Sequence, residues 1–160
     1  SQLKDAPTHY AIPAGTGTTA AGLAMILESQ ETLLVFPAIK GPALDVWFTE
    51  ILDRYGISPS GNVHVDTCAP GRGFARKDLE LWDFLMKVAQ STGIVFDPVY
   101  NGKMAFRIWK LVQEGYFEEG SQLVLIHTGG WPGRLGYQQR YKMESIPGSP
   151  EWQPDFMDNW

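Results

Sequence analysis

Apolar positions change their period several times along this chain, and the changes mark alternating strands and helices. His9–Pro13 is a short apolar run that feeds the small-residue turn Ala14-Gly-Thr-Gly-Thr-Thr19. The run predicts a strand, and the residues after it predict a helix starting near Thr18 or Thr19 and reaching about Ser29. Leu33–Phe36, closed by Pro37, Gly41 and Pro42, predicts a buried second strand. The clearest helix follows: Leu44, Trp47, Phe48, Ile51, Leu52 and Tyr55 form one continuous stripe, with Gly56 where a C-terminal cap belongs. Val63–Val65 predicts a brief strand, and 69–73 a loop. Asp78–Gln90 predicts a helix apolar on most faces, hence well buried, ended by Ser91-Thr-Gly93. Ile94–Phe96 predicts a further strand, closed by Asp97-Pro98. Gly102–Glu114 is helical, with Ala105, Ile108, Trp109 and Val112 on one face and Gly115 past its end. Gln122–Ile126 predicts the last strand, followed by the glycine turn His127-Thr-Gly-Gly130, and beyond Gly136 the pattern stops.

Strands that alternate with helices imply an α/β fold, a parallel sheet with helices on both faces in a Rossmann-like three-layer arrangement. In such sheets ligands sit outside the carboxyl ends of the strands. Three loops follow predicted strands: the glycine–threonine turn, Asp97-Pro-Val-Tyr-Asn101 and His127–Gly130. All three are therefore expected at one edge.

Composition narrows this picture only slightly. At 160 residues the chain suits one compact core, read here as an α/β domain over 1–137 and a tail over 138–160. A net charge of −5 without a Lys/Arg cluster argues against general nucleic-acid binding. Cys68 stands alone and has no internal disulfide partner, which fits a reducing compartment such as the cytoplasm or the mitochondrial matrix. No run reaches membrane-spanning length. Ser1 is not an initiator Met, so a processed or trimmed chain is expected. The tail carries Pro147, Pro150 and Pro154 with Trp152, Phe156 and Trp160, which points to docking on this domain or a partner as readily as to a loose terminus.

The chemistry concentrates in the first turn. Gly15 and Gly17 let the backbone bend and approach a ligand closely. Thr16, Thr18 and Thr19 add hydroxyls, and the helix start adds unpaired N–H groups and the positive end of its dipole. Together they make a phosphate cradle. An ordinary βα turn with packing glycines is the plainer account, but it does not require three threonines beside two glycines. The spacing formally matches the dinucleotide fingerprint, yet the second strand ends in Pro37-Ala-Ile-Lys40 without the carboxylate that would hold a ribose. No Gly-Lys-Ser/Thr follows the glycines and no Gly-x-Ser-x-Gly elbow occurs. His9, His64 and His127 lack helical metal spacing and read as structural.

Ala14-Gly-Thr-Gly-Thr-Thr-Ala-Ala-Gly22, Asp97-Pro-Val-Tyr-Asn-Gly-Lys103 and His127-Thr-Gly-Gly130, in this order and spacing, resemble the D-cysteine desulfhydrase and 1-aminocyclopropane-1-carboxylate deaminase family. These are pyridoxal 5′-phosphate (PLP) enzymes of fold type II, the tryptophan-synthase-β fold. The resemblance runs from about His9 to Tyr137 and corresponds to the C-terminal half of such an enzyme. It implies that Gly15, Thr16, Gly17, Thr18 and Thr19 hold the cofactor phosphate, that Tyr100 lies against the pyridine ring, that Asn101 faces the pyridine nitrogen, and that Thr128 and Gly129 border the ring. Family members carry a carboxylate at the Asn101 position for ring-opening deamination, or a threonine in the desulfhydrases. A neutral Asn there leans toward β-elimination.

Two departures bear on activity. The Schiff-base lysine of the family lies in its N-terminal half, in a stretch like G-N-K-x-R-K, and Lys4, Lys40, Lys77, Lys87, Lys103, Lys110 and Lys142 all lie outside such a context. Lys103 belongs to the tyrosine motif and starts a helix, a structural position. Gly71-Arg-Gly-Phe-Ala75 resembles the family's G-Y-G-L-P, with Arg72 in place of a tyrosine near the substrate. Arg72 cannot act as an acid/base at neutral pH, but can hold a substrate carboxylate or sit at the surface. Two expectations follow. One is an enzyme portion that works with an N-terminal partner piece. The other is a repurposed, catalytically inactive subunit of a larger assembly.

Overall fold

The computed structural model describes residues 7–39, 43–68 and 75–146. Among these the chain runs β1 (Thr8–Ala14), α1 (Thr18–Ala24), β2 (Glu31–Pro37), α2 (Leu44–Arg54), β3 (Asn62–Val65), α3 (Leu79–Thr92), α4 (Asn101–Gln113), β4 (Gln122–Leu125) and α5 (Trp131–Tyr141). The four strands form one parallel sheet in the order β3-β2-β1-β4. In register, Ala11 stands beside Leu34 and Ile12 beside Val35 on one side, and Ala11 beside Leu125 on the other.

Both faces of the sheet are covered, which is why the second halves of β1 and β2 read as apolar runs. Ile12, Ala14, Leu33 and Val35 point to one face and pack with Ala20, Ala21 and Ala24 of α1 and Phe48 and Ile51 of α2. Small residues on α1 let that helix lie close to the strands. Ala11, Leu34 and Phe36 point to the other face and pack with Met104, Ile108 and Leu111 of α4. Behind α4, Phe106 joins Leu81, Trp82 and Leu85 of α3 and Tyr137 of α5 in a third cluster. The expected α/β class and parallel sheet are thus found.

Four details differ from the sequence pattern. First, α1 stops at Ala24 rather than near Ser29. The chain instead turns so that the Glu28 N–H meets the Glu31 carboxylate at 2.9 Å, and Gly61 packs against the Glu28 carbonyl. Second, Ile94–Phe96 joins no ladder among the described residues. The Val95 carbonyl faces His127 Nε2 at 3.3 Å and Phe96 stacks on the His127 ring at 5.5 Å, so the segment is a tether rather than a strand. Third, α3 buries Leu81, Trp82, Leu85 and Ala89 but leaves Leu79 exposed, so only one stripe is covered. Fourth, a helix occupies Trp131–Tyr141, where the apolar pattern gives out.

Pro132 is harmless in that helix's first turn, but Gly133 and Gly136 are poor helix formers, and tertiary contacts hold α5 instead. The Tyr137 hydroxyl accepts from the Asp78 N–H at 2.8 Å and donates to the Arg76 carbonyl at 2.9 Å. Tyr141 donates to the Ala75 carbonyl at 2.9 Å. Burial is the main cause that pushes the Tyr137 hydroxyl above its ordinary range. These bonds pin the chain entering α3 to α5.

Candidate functional site

β1 is the switch point of the sheet. β2 lies on one side of it and β4 on the other, the arrangement in which loops leaving neighbouring strands generally diverge around a crevice. The loop leaving β1 is Gly15–Gly17, and the loop leaving β4 is His127–Gly130.

Gly17 caps α1 with φ 79°. A Cβ on it would lie 2.7 Å from Ile51 Cδ1 and 3.1 Å from the Trp47 ring, so both conformation and packing demand glycine. Because glycine has no capping side chain, the first N–H groups of α1 keep their capacity for an external acceptor. Gly15, Thr16, Thr18 and Thr19 are exposed, and the Thr16 and Thr18 hydroxyl oxygens lie 3.3 Å apart. Two hydroxyls and a helix start therefore face outward together.

Tyr100 comes to this turn from another part of the chain. A Cβ on Gly15 would lie 3.6 Å from Tyr100 Cε1 and 3.8 Å from its hydroxyl. Tyr100 caps α4, and the corner that carries it is built around the buried carboxylate of Asp97. Oδ1 accepts the N–H groups of Val99 at 2.9 Å and Tyr100 at 2.7 Å, and Oδ2 accepts the Asn101 N–H at 3.0 Å. The Asp97 carbonyl accepts the Gly102 N–H at 2.8 Å. This is helix capping by a residue four positions ahead of the helix.

Asn101 joins the corner to the second glycine turn. It is 0% exposed. Its Nδ2 donates to Asp97 Oδ2 at 2.7 Å and to the Gly129 carbonyl at 2.6 Å. Its Oδ1 accepts the Thr128 N–H at 3.0 Å and lies 3.3 Å from the Thr128 hydroxyl. A carboxamide has two donor hydrogens and two acceptor positions, so all of Asn101's capacity is used on protein groups. In this arrangement it holds two loops together and has no hydrogen left for a ring nitrogen.

The second turn is tied at both ends. Gly130, at φ 108°, lies so close to the corner that a Cβ would stand 2.7 Å from Asp97 Oδ2. The Gly129 N–H donates to His127 Nδ1 at 3.1 Å, which assigns the ring proton to Nε2, facing Val95. His127 is thus structural here.

Geometry therefore brings together Gly15, Thr16, Gly17, Thr18, Thr19 and Tyr100 on one side, and Asn101, Thr128 and Gly129 on the other, with the Tyr100–Asn101 backbone as the join. The Asp97 corner reaches the site without following a strand, contrary to the sequence pattern. Arg72 lies outside the described residues. Lys103 is buried on α4, and Cys68 is exposed. No group of three or more His, Cys, Asp or Glu able to hold a metal occurs among the described residues, and no described helix is long and apolar enough to cross a membrane. Asp97 is the hub of the corner. Its position ahead of Pro and a helix start, the pattern of a side chain that captures following N–H groups, is the signal that points to it.

The two glycine turns follow strands of a parallel sheet, at the edge where ligands generally sit in α/β folds. A solved structure described as an ACC deaminase homologue shares the fold at a TM-score of 0.60 and 23% identity, covering 82% of this chain and 42% of that one. No family model matches. Over 82 residues, 51% of this chain, the sequence is 39% identical to the bifunctional D-cysteine desulfhydrase/1-aminocyclopropane-1-carboxylate deaminase of Arabidopsis thaliana. Over 63 residues it is 38% identical to the 1-aminocyclopropane-1-carboxylate deaminase of Allorhizobium ampelinum. These stretches cover only 20% and 19% of those proteins. The chain is a homologue of part of the D-cysteine desulfhydrase and 1-aminocyclopropane-1-carboxylate deaminase proteins, and it shares its α/β fold with the solved ACC deaminase homologue.

Proposed function

We propose that this chain is the phosphate-gripping portion of a PLP-dependent lyase of the D-cysteine desulfhydrase type, and that it needs the family's N-terminal portion to turn over substrate. The observation that carries this reading is the meeting of the Gly15 turn with Tyr100. The donors present fit the group. Exposed Thr16, Thr18 and Thr19 and the start of α1 offer hydroxyl and N–H donors to a phosphate dianion, and no carboxylate stands among them. When bound, the cofactor supplies an electron sink for chemistry at the substrate α-carbon. Gly15 lies in contact range of the Tyr100 ring edge and hydroxyl, so the ring borders the turn. Asn101 fixes Tyr100 relative to Thr128 and Gly129. None of the lysines lies in a stretch like G-N-K-x-R-K, so the covalent anchor comes from the N-terminal portion, in the same polypeptide or another.

A second reading, a repurposed subunit without catalysis, is favoured by one observation. Asn101, which the family resemblance sets against the pyridine nitrogen, has its whole carboxamide engaged by Asp97, Thr128 and Gly129. Sulfide release from D-cysteine separates the two. The 160 residues alone, with PLP, are expected to stay at the cofactor-only blank. Co-expressed with the N-terminal remainder of the Arabidopsis relative, they are expected to release sulfide above it. Turnover by the isolated chain refutes the need for a partner, and no turnover in the co-expressed pair favours the second reading.

A further inference from the structure

We propose that the open side of β4 and the adjoining flank of α4 seat the family's N-terminal portion, with an extended apolar segment of that portion adding a strand beside β4. The proposal rests on the preceding reading, in which such a portion is needed, and adds where it binds.

The backbone of β4 carries the first observation. β4 ends the sheet among the described strands. The Gln122 N–H donates to the Pro7 carbonyl at 2.9 Å, and the Ile126 N–H to the Ala11 carbonyl at 2.8 Å. Successive residues of a strand turn their backbone groups to alternate sides, so Leu123 and Leu125 direct both N–H and C=O away from β1. No described strand pairs with them there, and such a row is a template for one more strand.

The second observation is an apolar flank beside that edge. By sequence pattern Trp109 and Val112 share a face with Ala105 and Ile108. In the fold Ala105 and Ile108 are buried, but Trp109 is 43% exposed, Val112 51% and Tyr116, just past the helix, 51%. Arg107 marks the other flank of α4, because its Nε donates to Asp66, just past β3, at 2.9 Å. The helical repeat turns Trp109 and Val112 away from Arg107, toward the β4 end of the sheet. There Phe117, Leu123 and Leu125 pack against the cluster that includes Ile108 and Leu111. Single exposed apolar residues are ordinary, but a row of them beside an open strand marks an interaction surface.

The third observation selects the occupant. Pro7 is bonded to the first residue of β4, so polypeptide that precedes β1 reaches the fold beside this edge. The solved relative continues well beyond the shared fold, which covers 42% of its chain. A portion joined ahead of Pro7 is delivered to β4 at high effective concentration, whereas a second copy has to find it from solution. The position also suits the chemistry. β4 runs into the turn His127–Gly130, so a strand laid along it reaches the candidate site at one end.

The test compares the 160-residue chain alone with the chain co-expressed with the N-terminal remainder of the Arabidopsis relative. Hydrogen exchange read amide by amide is expected to slow by about tenfold or more at Leu123 and Leu125 in the pair. V112K/Y116K is expected to weaken the pair several-fold while its own unfolding midpoint stays that of the parent. M25K/I26K, at two exposed apolar residues beyond α1, is expected to leave the pair unchanged. A pair that forms while Leu123 and Leu125 exchange as in the chain alone overturns the proposal and leaves the need for a partner standing. So does a pair weakened by M25K/I26K and not by V112K/Y116K. Exchange at these amides that slows with concentration in the chain alone assigns the surface to a second copy and also overturns it. Failure of the two pieces to associate overturns the proposal and the reading beneath it together.

Discussion

Asn101→Asp is expected to be among the most damaging single substitutions in the described chain at neutral pH, with much of the loss recovered in acid. The new carboxylate keeps the acceptor that meets the Thr128 N–H, but it places a second oxygen where Nδ2 stood, 2.7 Å from Asp97 Oδ2 and 2.6 Å from the Gly129 carbonyl. Three oxygens then face one another without a hydrogen. Breaking a buried charged network in this way costs about 3–5 kcal/mol. Two carboxylates sharing one site cannot both ionise, so the pair takes up a proton on folding and its value is raised above that of an ordinary carboxylate. The sign follows from linkage. Stability of the variant is fully present below the unfolded carboxylate range and is lost as pH rises through the raised value of the pair. Urea midpoints of variant and parent, measured from acid to neutral pH, check this. Loss of stability that does not vary with pH would show that Asn101 and Asp97 are not in contact.

Gly102→Ala is expected to cost about 3 kcal/mol through overpacking. A Cβ there would lie 2.4 Å from the Asp97 carbonyl oxygen and 2.9 Å from Leu85 Cδ2. The first neighbour is backbone, and it already accepts the Gly102 N–H at 2.8 Å, so it cannot move without opening the corner. Gly22→Ala is the matched control. It lies within α1, where a Cβ would meet nothing within 4 Å, and it is expected to stabilise by about 0.5–1 kcal/mol. Chemical unfolding of both variants reads the contrast, and similar effects at the two positions would mean that the corner is looser than described.

These two positions show what the sequence could and could not disclose. The parallel sheet was legible because the later residues of β1 and β2, Ala11–Ala14 and Leu33–Pro37, are buried on both faces and read as apolar runs. The glycine–threonine turn was legible because conformation and packing exclude a side chain at Gly17, which leaves glycine as a visible mark. Ile94–Phe96 misled because three apolar residues before Asp-Pro look like a strand whether their partners are a ladder or a histidine ring. α5 was hidden because its stability comes from tyrosine hydroxyls that reach residues about 60 positions away, and local propensity carries no trace of such bonds. Asn101 is marked as a candidate by its motif. Its engagement with Asp97, Thr128 and Gly129 is a long-range fact that only the folded chain displays.

The central claim is that the first glycine turn, Tyr100 and the second glycine turn form one phosphate-anchored site. Backbone amide spectra of the 160-residue chain titrated with pyridoxamine 5′-phosphate test it most directly, since that ligand has no aldehyde to react with surface lysines. The amides of Gly15–Thr19, Tyr100, Thr128 and Gly129 are expected to shift together and to saturate at one midpoint, while unphosphorylated pyridoxamine leaves them in place. Equal responses to the two ligands, or shifts confined to residues outside these three segments, would contradict the account.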